Sequence, residues 1–323
     1  MAIALLSGTT NPAYNLATEA FLLQQKTEDV VFLYENEASV VLGKHQNAFY
    51  EANQAFCKSN NVEVHRRLSG GGTVYHGPGN LNFCLIKNLK DKTKLIDFEK
   101  FLRPVMAYLH TINLPVTYSG RNDLLLNGFK VSGNAEHVDQ RRKRVLHHGT
   151  LLFNANLSSL KGAIQPKETI HFEGHSIASV RSEVANLEAY LNPPINLTEF
   201  KSGLFNHLVH NYGASNYNIT DVDAREIGKL VDEKFNTWDW NYGYSPKFKA
   251  QLQDFGHQEV LLEIDVVKGQ MESMRLGYDG NFIPIDVVHS EPFTPENILK
   301  ITDWSRFKFF YKPLELGDLS KYF

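Results

Sequence analysis

The chain has 323 residues, enough for one large domain with a sizeable core and a smaller second one. A formal charge of −3 and a pI near 6.5 exclude a nucleic-acid-binding polycation, and 42% hydrophobic with 12% aromatic residues exclude a disordered chain. Two cysteines, Cys57 and Cys84, are too few for a disulfide framework or a zinc site, no apolar run reaches the roughly 20 residues of a membrane span, and Met1–Ser7 is too short and uncharged for a signal peptide. The expectation is a soluble, cytoplasmic protein with neither nucleic acid nor membrane as partner.

Asn11-Pro12 reads as an N-cap followed by proline at the first helical position, opening a helix with Ala13, Leu16, Ala17, Ala20 and Leu23 on one face. Val30–Tyr34 and Ser39–Leu42 read as strands joined by a polar turn, and a short helix is expected around Asn53–Ser59. Val62–Arg66 alternates like a half-buried strand, and Leu81, Phe83 and Leu85 alternate in the next one. Asp97–His110 has a helical apolar face that Pro104 is expected to kink or break. Asp123–Leu126, Asn127-Gly128 and Phe129–Gly133 form the clearest hairpin signal, a two-residue type I′ turn between apolar runs. Period-two alternation there places Phe129 with Val131 and Lys130 with Ser132. A strand over Leu146–Phe153 follows the basic run Arg141–Arg144. Helices are expected over Thr198–Tyr212 and Asp221–Phe235, and the aromatic-rich turn Trp238–Pro246 marks a domain boundary. Beyond it, Val260–Val267 and Met271–Tyr278 flank Lys268-Gly269 as a hairpin, and Thr294-Pro295-Glu296 opens a helix.

The most informative stretch is Arg66-Arg67-Leu68-Ser69-Gly70-Gly71-Gly72-Thr73-Val74-Tyr75-His76-Gly77-Pro78-Gly79-Asn80. Successive glycines reach φ > 0 and let an anion approach bare N–H groups, and arginines beside them add planar donors. A nucleotide P-loop is excluded because Thr73-Val74 stands where Lys-Ser/Thr is required. A dinucleotide fingerprint is excluded because a β-prone segment, not a helix, follows the glycines. The loop reads as an anion cradle between two strands.

With this loop and the lysine hairpin in place, the chain resembles a lipoate–protein ligase, of the biotin/lipoate protein ligase catalytic family. The motifs run in order through Asn15–Glu19, Val41–Asn47, Arg66–Asn80, Ser119–Asp123, Lys130–Ala135, His147–Leu152 and Ser179–Ser182, over roughly the first three quarters of the chain. The resemblance implies an α/β (α+β) architecture: a large mixed-sheet catalytic domain, residues 1–244, and a small C-terminal α+β accessory domain, residues 245–323. It implies a reaction in which lipoate and ATP give lipoyl-AMP and pyrophosphate. The lipoyl group then passes to a lysine of lipoyl carrier domains, in 2-oxo acid dehydrogenase E2 subunits and the glycine cleavage H protein. The alternatives are a lipoyl or octanoyl transferase that uses a preformed donor without ATP, and a non-catalytic adenylate-binding protein. The absence of a motif cysteine speaks against transfer through a thioester, and retention of Lys130 and the Arg66–Gly72 run speaks against a binding-only protein.

Adenylation brings a carboxylate onto the α-phosphorus and shifts negative charge toward pyrophosphate, so a fixed cation at the reacting oxygens is required. Lys130 matches the family's motif lysine and is the expected catalytic residue, touching both the lipoyl carbonyl and the α-phosphate. By the same motif, Arg67, Gly72, Thr73, Val74 and Tyr75 are expected to hold ATP and the adenylate, with Val74 and Tyr75 against the adenine or the acyl chain. Arg66, Ser69, Gly70 and Gly71 are expected at the lipoate carboxyl end, the alternative for Arg66 being an exposed salt bridge. Asn122 is a candidate for the base or sugar, and Asp123 for magnesium or ribose, or a simple turn residue; Mg²⁺ is expected as the ATP complex. Adjacent strand residues point to opposite faces, so His147 and His148 do not share a metal; one of them, His148, is expected to line the lipoate tunnel with His76. Leu16, Ala17, Val41 and Phe83 are either tunnel wall or ordinary core, and Arg141–Arg144 is a solvated turn unless it steers an acidic carrier or holds pyrophosphate.

Overall fold

The computed structural model describes residues 2–89, 96–164, 170–174, 176–180, 182–253, 260–278, 281–287, 291–301, 304 and 319. An eight-stranded mixed sheet forms the frame, ordered Ala214–Asn216, Ala2–Leu6, Asp29–Glu35, Asn80–Asn88, Arg144–Leu152, Phe129–Asp139, Asp123–Leu126 and Thr117–Tyr118. The first two pairings are parallel and the others antiparallel. Its central strands are buried at nearly every position because both faces are covered, so even their polar residues, such as Asn82, His147 and His148, lie inside. Val31, Leu33, Phe83 and Leu85 pack under the helices Phe98–Thr111 and Leu197–Tyr212. Val30, Phe32, Cys84 and Ile86 pack under the helix Pro12–Gln25. Among the described residues no helix is long and apolar enough to cross a membrane.

Asn11 caps the first helix as its sequence implies, accepting a hydrogen bond from the Tyr14 N–H. The far end of that helix has no basic residue of its own, and the run at 141–144 supplies the cations instead. Arg142 Nε donates to the Gln24 carbonyl at 2.9 Å. Arg144, 2% exposed, donates from Nη1 to Leu22 and Leu23 at 2.8 and 3.0 Å, and also reaches the carbonyls of Lys26 and Glu28. The last carbonyls of a helix lack internal partners and carry its negative pole, which is why cations settle there. Arg144 is therefore a buried helix terminator, not a solvated turn residue.

The strands Asp29–Glu35 and Ser39–Leu42 form as expected, and the second leaves the large sheet to pair with Glu63–Arg66 and Val74–His76 in a three-stranded sheet. Other expectations are also corrected. In this small sheet His65 and Arg66 are both buried, so the Val62–Arg66 strand is not half-exposed. Pro104 does not end its helix, which runs from Phe98 to Thr111 with the proline inside it. The Asn127-Gly128 turn has φ of 51° and 86°, as a type I′ turn requires, but the ladder behind it slips by one residue. Leu124 faces Ser132 while Leu125 faces Lys130, so Val131 is extra; it is fully buried, whereas Phe129 is 39% exposed.

A second antiparallel sheet is built on Phe248–Gln253, Val260–Val267, Gln270–Tyr278 and Asn281–Ile285, with Lys268-Gly269 as its hairpin turn and Thr294 capping the helix Pro295–Lys300. Its outer strand, Ile170–Gly174, comes from far earlier in the chain and pairs with Phe248–Gln253. The ring of Phe49 reaches into this second core, within 5.5 Å of Tyr242 and Phe248 and 5.3 Å of Phe293.

Replacing Arg144 with Met is expected to cost about 3 kcal/mol, because buried carbonyls lose a charged donor without a substitute. Urea unfolding checks it; a change below ~1 kcal/mol would show that Arg144 does not terminate the first helix.

Candidate functional site

Two cavities meet on the helix 12–25 face of the large sheet, an inner one of about 100 Å³ and an outer one of about 790 Å³. They share Thr73, Val74, Lys130, Gly133, Thr150, Ser179 and Val180, so the glycine-rich loop and the Lys130 hairpin line one continuous cleft. The inner part adds Leu16, Tyr34, Val41, His76 and His148, and the outer part adds Tyr75, Leu152, Leu157 and Leu160.

Lys130 is held at both its backbone and its ammonium. Its N–H donates to Glu183 O at 2.9 Å and its carbonyl accepts from Ala185 N at 3.1 Å, a parallel bridge that fixes where the side chain starts. Nζ lies 2.9 Å from Asp123 Oδ1, an ion pair rather than an aligned hydrogen bond. Gly133 provides the space for it: a Cβ there would sit 3.0 Å from Lys130 Cε and 3.1 Å from Nζ.

The two arginines before the glycines do different work, because neighbouring strand residues face opposite ways. Arg66 is fully buried beneath the loop. Nε donates to Trp240 O, Nη1 to the carbonyls of Gly43, Lys44 and Gln46, and Nη2 to Asn241 O and Ser245 Oγ, at 2.7–3.3 Å. It neither lines the cleft nor forms an exposed salt bridge. Arg67 does line the inner cavity, yet Nε donates to Ser69 Oγ, Nη1 to Val41 O and Nη2 to the carbonyls of Gly70 and Gly72. Four of its five N–H groups thus shape the loop, so its expected pairing with phosphate is not what most of the guanidinium does. Burial lowers both arginines to about 10, and both stay cationic at neutral pH.

Behind the loop runs a directed hydrogen-bond chain. Ser69 Oγ accepts from Arg67 and lies 2.6 Å from His148 Nε2, His148 Nδ1 lies 2.7 Å from Glu19 Oε2, and Tyr34 OH donates to Glu19 Oε1 at 3.0 Å. The order is satisfied with the His148 proton on Nδ1, since the Glu19 carboxylate only accepts. His76, 4% exposed, has Nδ1 2.9 Å from Asn36 Nδ2. Burial, with Arg67 and His148 nearby, pushes its pKa down to about 3, so the ring is neutral. His147 points to the other face, stacks on Phe101 with centroids 5.0 Å apart and bonds Glu136 Oε1 at 3.0 Å.

Of the residues expected from sequence, Lys130, Arg67, Gly72, Thr73, Val74, Tyr75, His76, Asn122, Asp123 and His148 line the two cavities. Arg66, Ser69, Gly70 and Gly71 do not; they form the layer behind. Gly71 has φ 85°, and its carbonyl lies where any Cβ on Gly43 would be, 2.0 Å away. The Thr73 N–H donates to Ser179 Oγ at 2.9 Å instead of opening into the cleft. Asn122 Nδ2 donates to Asn134 O at 2.8 Å. Leu16 and Val41 are wall, whereas Ala17 and Phe83 are core. Among the described residues no three His, Cys, Asp or Glu side chains form a metal site. Arg181, in the last matched motif, lies outside the described residues.

Asn82, Arg121, Asn134 and Ser179 also line the inner cavity, although none of them is among the site residues expected from sequence. The signal for Asn82 was present: a polar residue between Leu81 and Phe83 in a strand buried on both faces has a reason to be there. Asn82 is 1% exposed and its Nδ2 has no partner among the described residues.

The mixed sheet flanked by helices thus carries the glycine-rich loop and the fixed lysine on one cleft. Residues 11–209 match the family described as "Lipoyl protein ligase A/B catalytic domain". Lipoate–protein ligase 1 of Staphylococcus aureus is 35% identical over 270 residues, 83% of this chain and 81% of that protein. Among solved structures, P. falciparum LipL1 in complex with lipoate superposes with a TM-score of 0.64 at 24% identity, over 100% of this chain and 99% of that one. A lipoate–protein ligase A bound with ATP gives 0.62 at 21% identity, over 75% and 98%. The chain belongs to the lipoyl protein ligase family.

His76 is neutral in the fold but titrates near 6.5 once unfolded, so the unfolded chain binds an extra proton between about pH 6.5 and 3. Stability therefore falls as pH drops through that window, by up to ~1.4 kcal/mol per pH unit for one full proton. His76→Gln is expected to flatten the fall in melting temperature between pH 6.5 and 4 relative to the parent. Equal slopes would contradict a buried neutral His76.

Proposed function

We propose that this chain activates lipoate with MgATP and then transfers the lipoyl group to a lysine of a lipoyl carrier domain. The supporting observation is the position of Lys130 at the junction of the two cavities, within one cleft with Gly72 and Thr73. The inner cavity, walled by Leu16, Val41 and Val74, suits the lipoyl chain, and the outer one, with Tyr75, Leu157 and Leu160, suits the adenosine. The S. aureus relative is a lipoate–protein ligase by name, LipL1 was solved with lipoate, and the ligase A structure holds ATP.

In the first step a lipoate oxygen attacks the α-phosphorus, the bond to the bridging oxygen breaks, and pyrophosphate leaves. Lys130 faces the oxygens on which charge grows, and Asp123 keeps its ammonium in place beforehand. One such contact at ~4 Å and an effective dielectric of ~20 is worth about 4 kcal/mol, roughly a thousandfold in rate. In the second step the neutral amine of the carrier lysine attacks the lipoyl carbonyl carbon, the bond from that carbon to the phosphate oxygen breaks, AMP leaves with the oxygen, and the nitrogen gives up a proton to solvent. Lys130 would polarise that carbonyl. Asp123, whose Oδ1 pairs with Lys130, would be the residue to hold magnesium on the ATP phosphates, where the ion would offset their negative charge; one carboxylate accords with an ion that takes most of its ligands from substrate and water. Carrier domains of E2 subunits and of the H protein are the acceptors. Residues 1–244 act as the catalytic part and 245–323 as an accessory domain, with Ile170–Gly174 contributed by the former to the sheet of the latter.

Purified protein should exchange labelled pyrophosphate into ATP only when lipoate is present. Absence of exchange together with retained transfer from synthetic lipoyl-AMP would replace the ligase by a transferase. Lys130→Ala is expected to lower exchange about a thousandfold while leaving circular dichroism unchanged; near-normal exchange would remove Lys130 from the chemistry. Gly133→Ala is expected to push the ammonium off its position and cost ten- to a hundredfold in turnover, with the melting temperature nearly unchanged. Parental turnover would show that this glycine does not set the lysine.

A further inference from the structure

A single hydroxyl ties together three chain segments around the cleft. Ser179 Oγ accepts from Thr73 N at 2.9 Å and from Gln46 Nε2 at 3.0 Å, and donates to Glu51 Oε2. The Ser179 N–H donates to Glu51 Oε1 at 3.1 Å. Gln46 closes the set: its Oε1 accepts from Gly43 N and Thr73 Oγ1, both at 2.8 Å. Glu51 is 5% exposed, and Ser179 is its hydrogen-bonded partner twice over. Packing leaves no slack, since a Cβ on Gly72 would stand 3.2 Å from Ser179 Oγ.

The polarity of this junction admits few substitutes. Both lone pairs of Ser179 Oγ are taken by N–H donors, so its own proton must go to an acceptor. Ser179 therefore presents two donors, and an ionised carboxylate accepts both. A carboxamide has one acceptor oxygen and would set its NH₂ against one of them.

Four and five residues beyond Ser179, Glu183 O and Val184 form the bridge to the Lys130 backbone, with Ala185 N completing it. We propose that Glu51, acting through Ser179, is a positioning residue that holds the glycine loop and the Lys130 strand at one separation and so retains the acyl-adenylate. The adenylate part rests on the activity proposed above; the junction itself does not. Glu51 and Ser179 hold the wall in place and the chemistry stays with Lys130.

The test uses the full-length protein and the variants Ser179→Ala, Ser179→Thr and Glu51→Gln. The first readout is the ratio of adenylate released into solution to lipoyl groups delivered to a carrier domain. A ratio is insensitive to the amount of folded enzyme, so simple destabilisation does not move it. Ser179→Ala should raise it about tenfold, Glu51→Gln by an intermediate amount, and Ser179→Thr, which keeps the hydroxyl, should restore it. The second readout is amide hydrogen exchange of Thr73 and Lys130 in the ligand-free protein, expected at least tenfold faster in Ser179→Ala at unchanged global stability. Parental ratios and parental exchange in Ser179→Ala and Glu51→Gln would overturn the proposal. If the parent forms no adenylate at all, the activity reading fails, and amide exchange alone then decides the junction.

Discussion

Burying a cation without a carboxylate beside it requires other acceptors, and the site of this protein is organised by how that requirement is met. Arg66 is enclosed by backbone carbonyls from two distant segments, the 43–46 loop and the 240–245 turn. Arg67, one residue on and facing the other way, collects the carbonyls of Val41, Gly70 and Gly72. Arg144 does the same for the end of the first helix. In each case the guanidinium's planar fork gathers several backbone carbonyls at once. The glycine-rich loop therefore has one defined shape, although three successive glycines have the most conformational freedom to lose.

Much of this was legible in the sequence where a local rule acts alone. The Asn11-Pro12 cap, the Asn127-Gly128 turn and the Lys268-Gly269 turn each follow from the conformational preference of a few residues. What depends on distant partners was not legible. Nothing local distinguishes Arg66, a buried rivet, from Arg67, a cleft residue; the difference is which face of one short strand each occupies, and what the 240–245 turn brings to it. The slip of register behind Lys130 is equally silent in the alternation pattern, which would have placed Val131 beside the wrong neighbours. Pro104 kept its helix because the helix is held by its apolar face, with Phe101, Leu102, Val105 and Leu109 in the core.

The candidate residues divide along the same line. Those with chemistry at the tip of the side chain, Lys130, His76, His148 and Asp123, were found by type and motif and do face the cleft. Those that act by shape, Ser69, Gly70 and Gly71, share the motif but stand behind it. A motif marks which residues a fold needs together without saying which of them a ligand would touch. Ser179 and Glu51 show the converse: both lie on the outer cavity, and their importance shows only once the hydrogen bonds joining them are laid out.

The strand Ile170–Gly174 leaves the first part of the chain to complete the sheet of the last part. A sheet that takes one strand from so much earlier in the chain is not separable from the rest at a single point. Severing the chain near residue 244 and parting the pieces would leave Phe248–Gln253 paired only with Val260–Val267 and open a β-edge on its other side, the geometry from which unrelated chains adhere to one another.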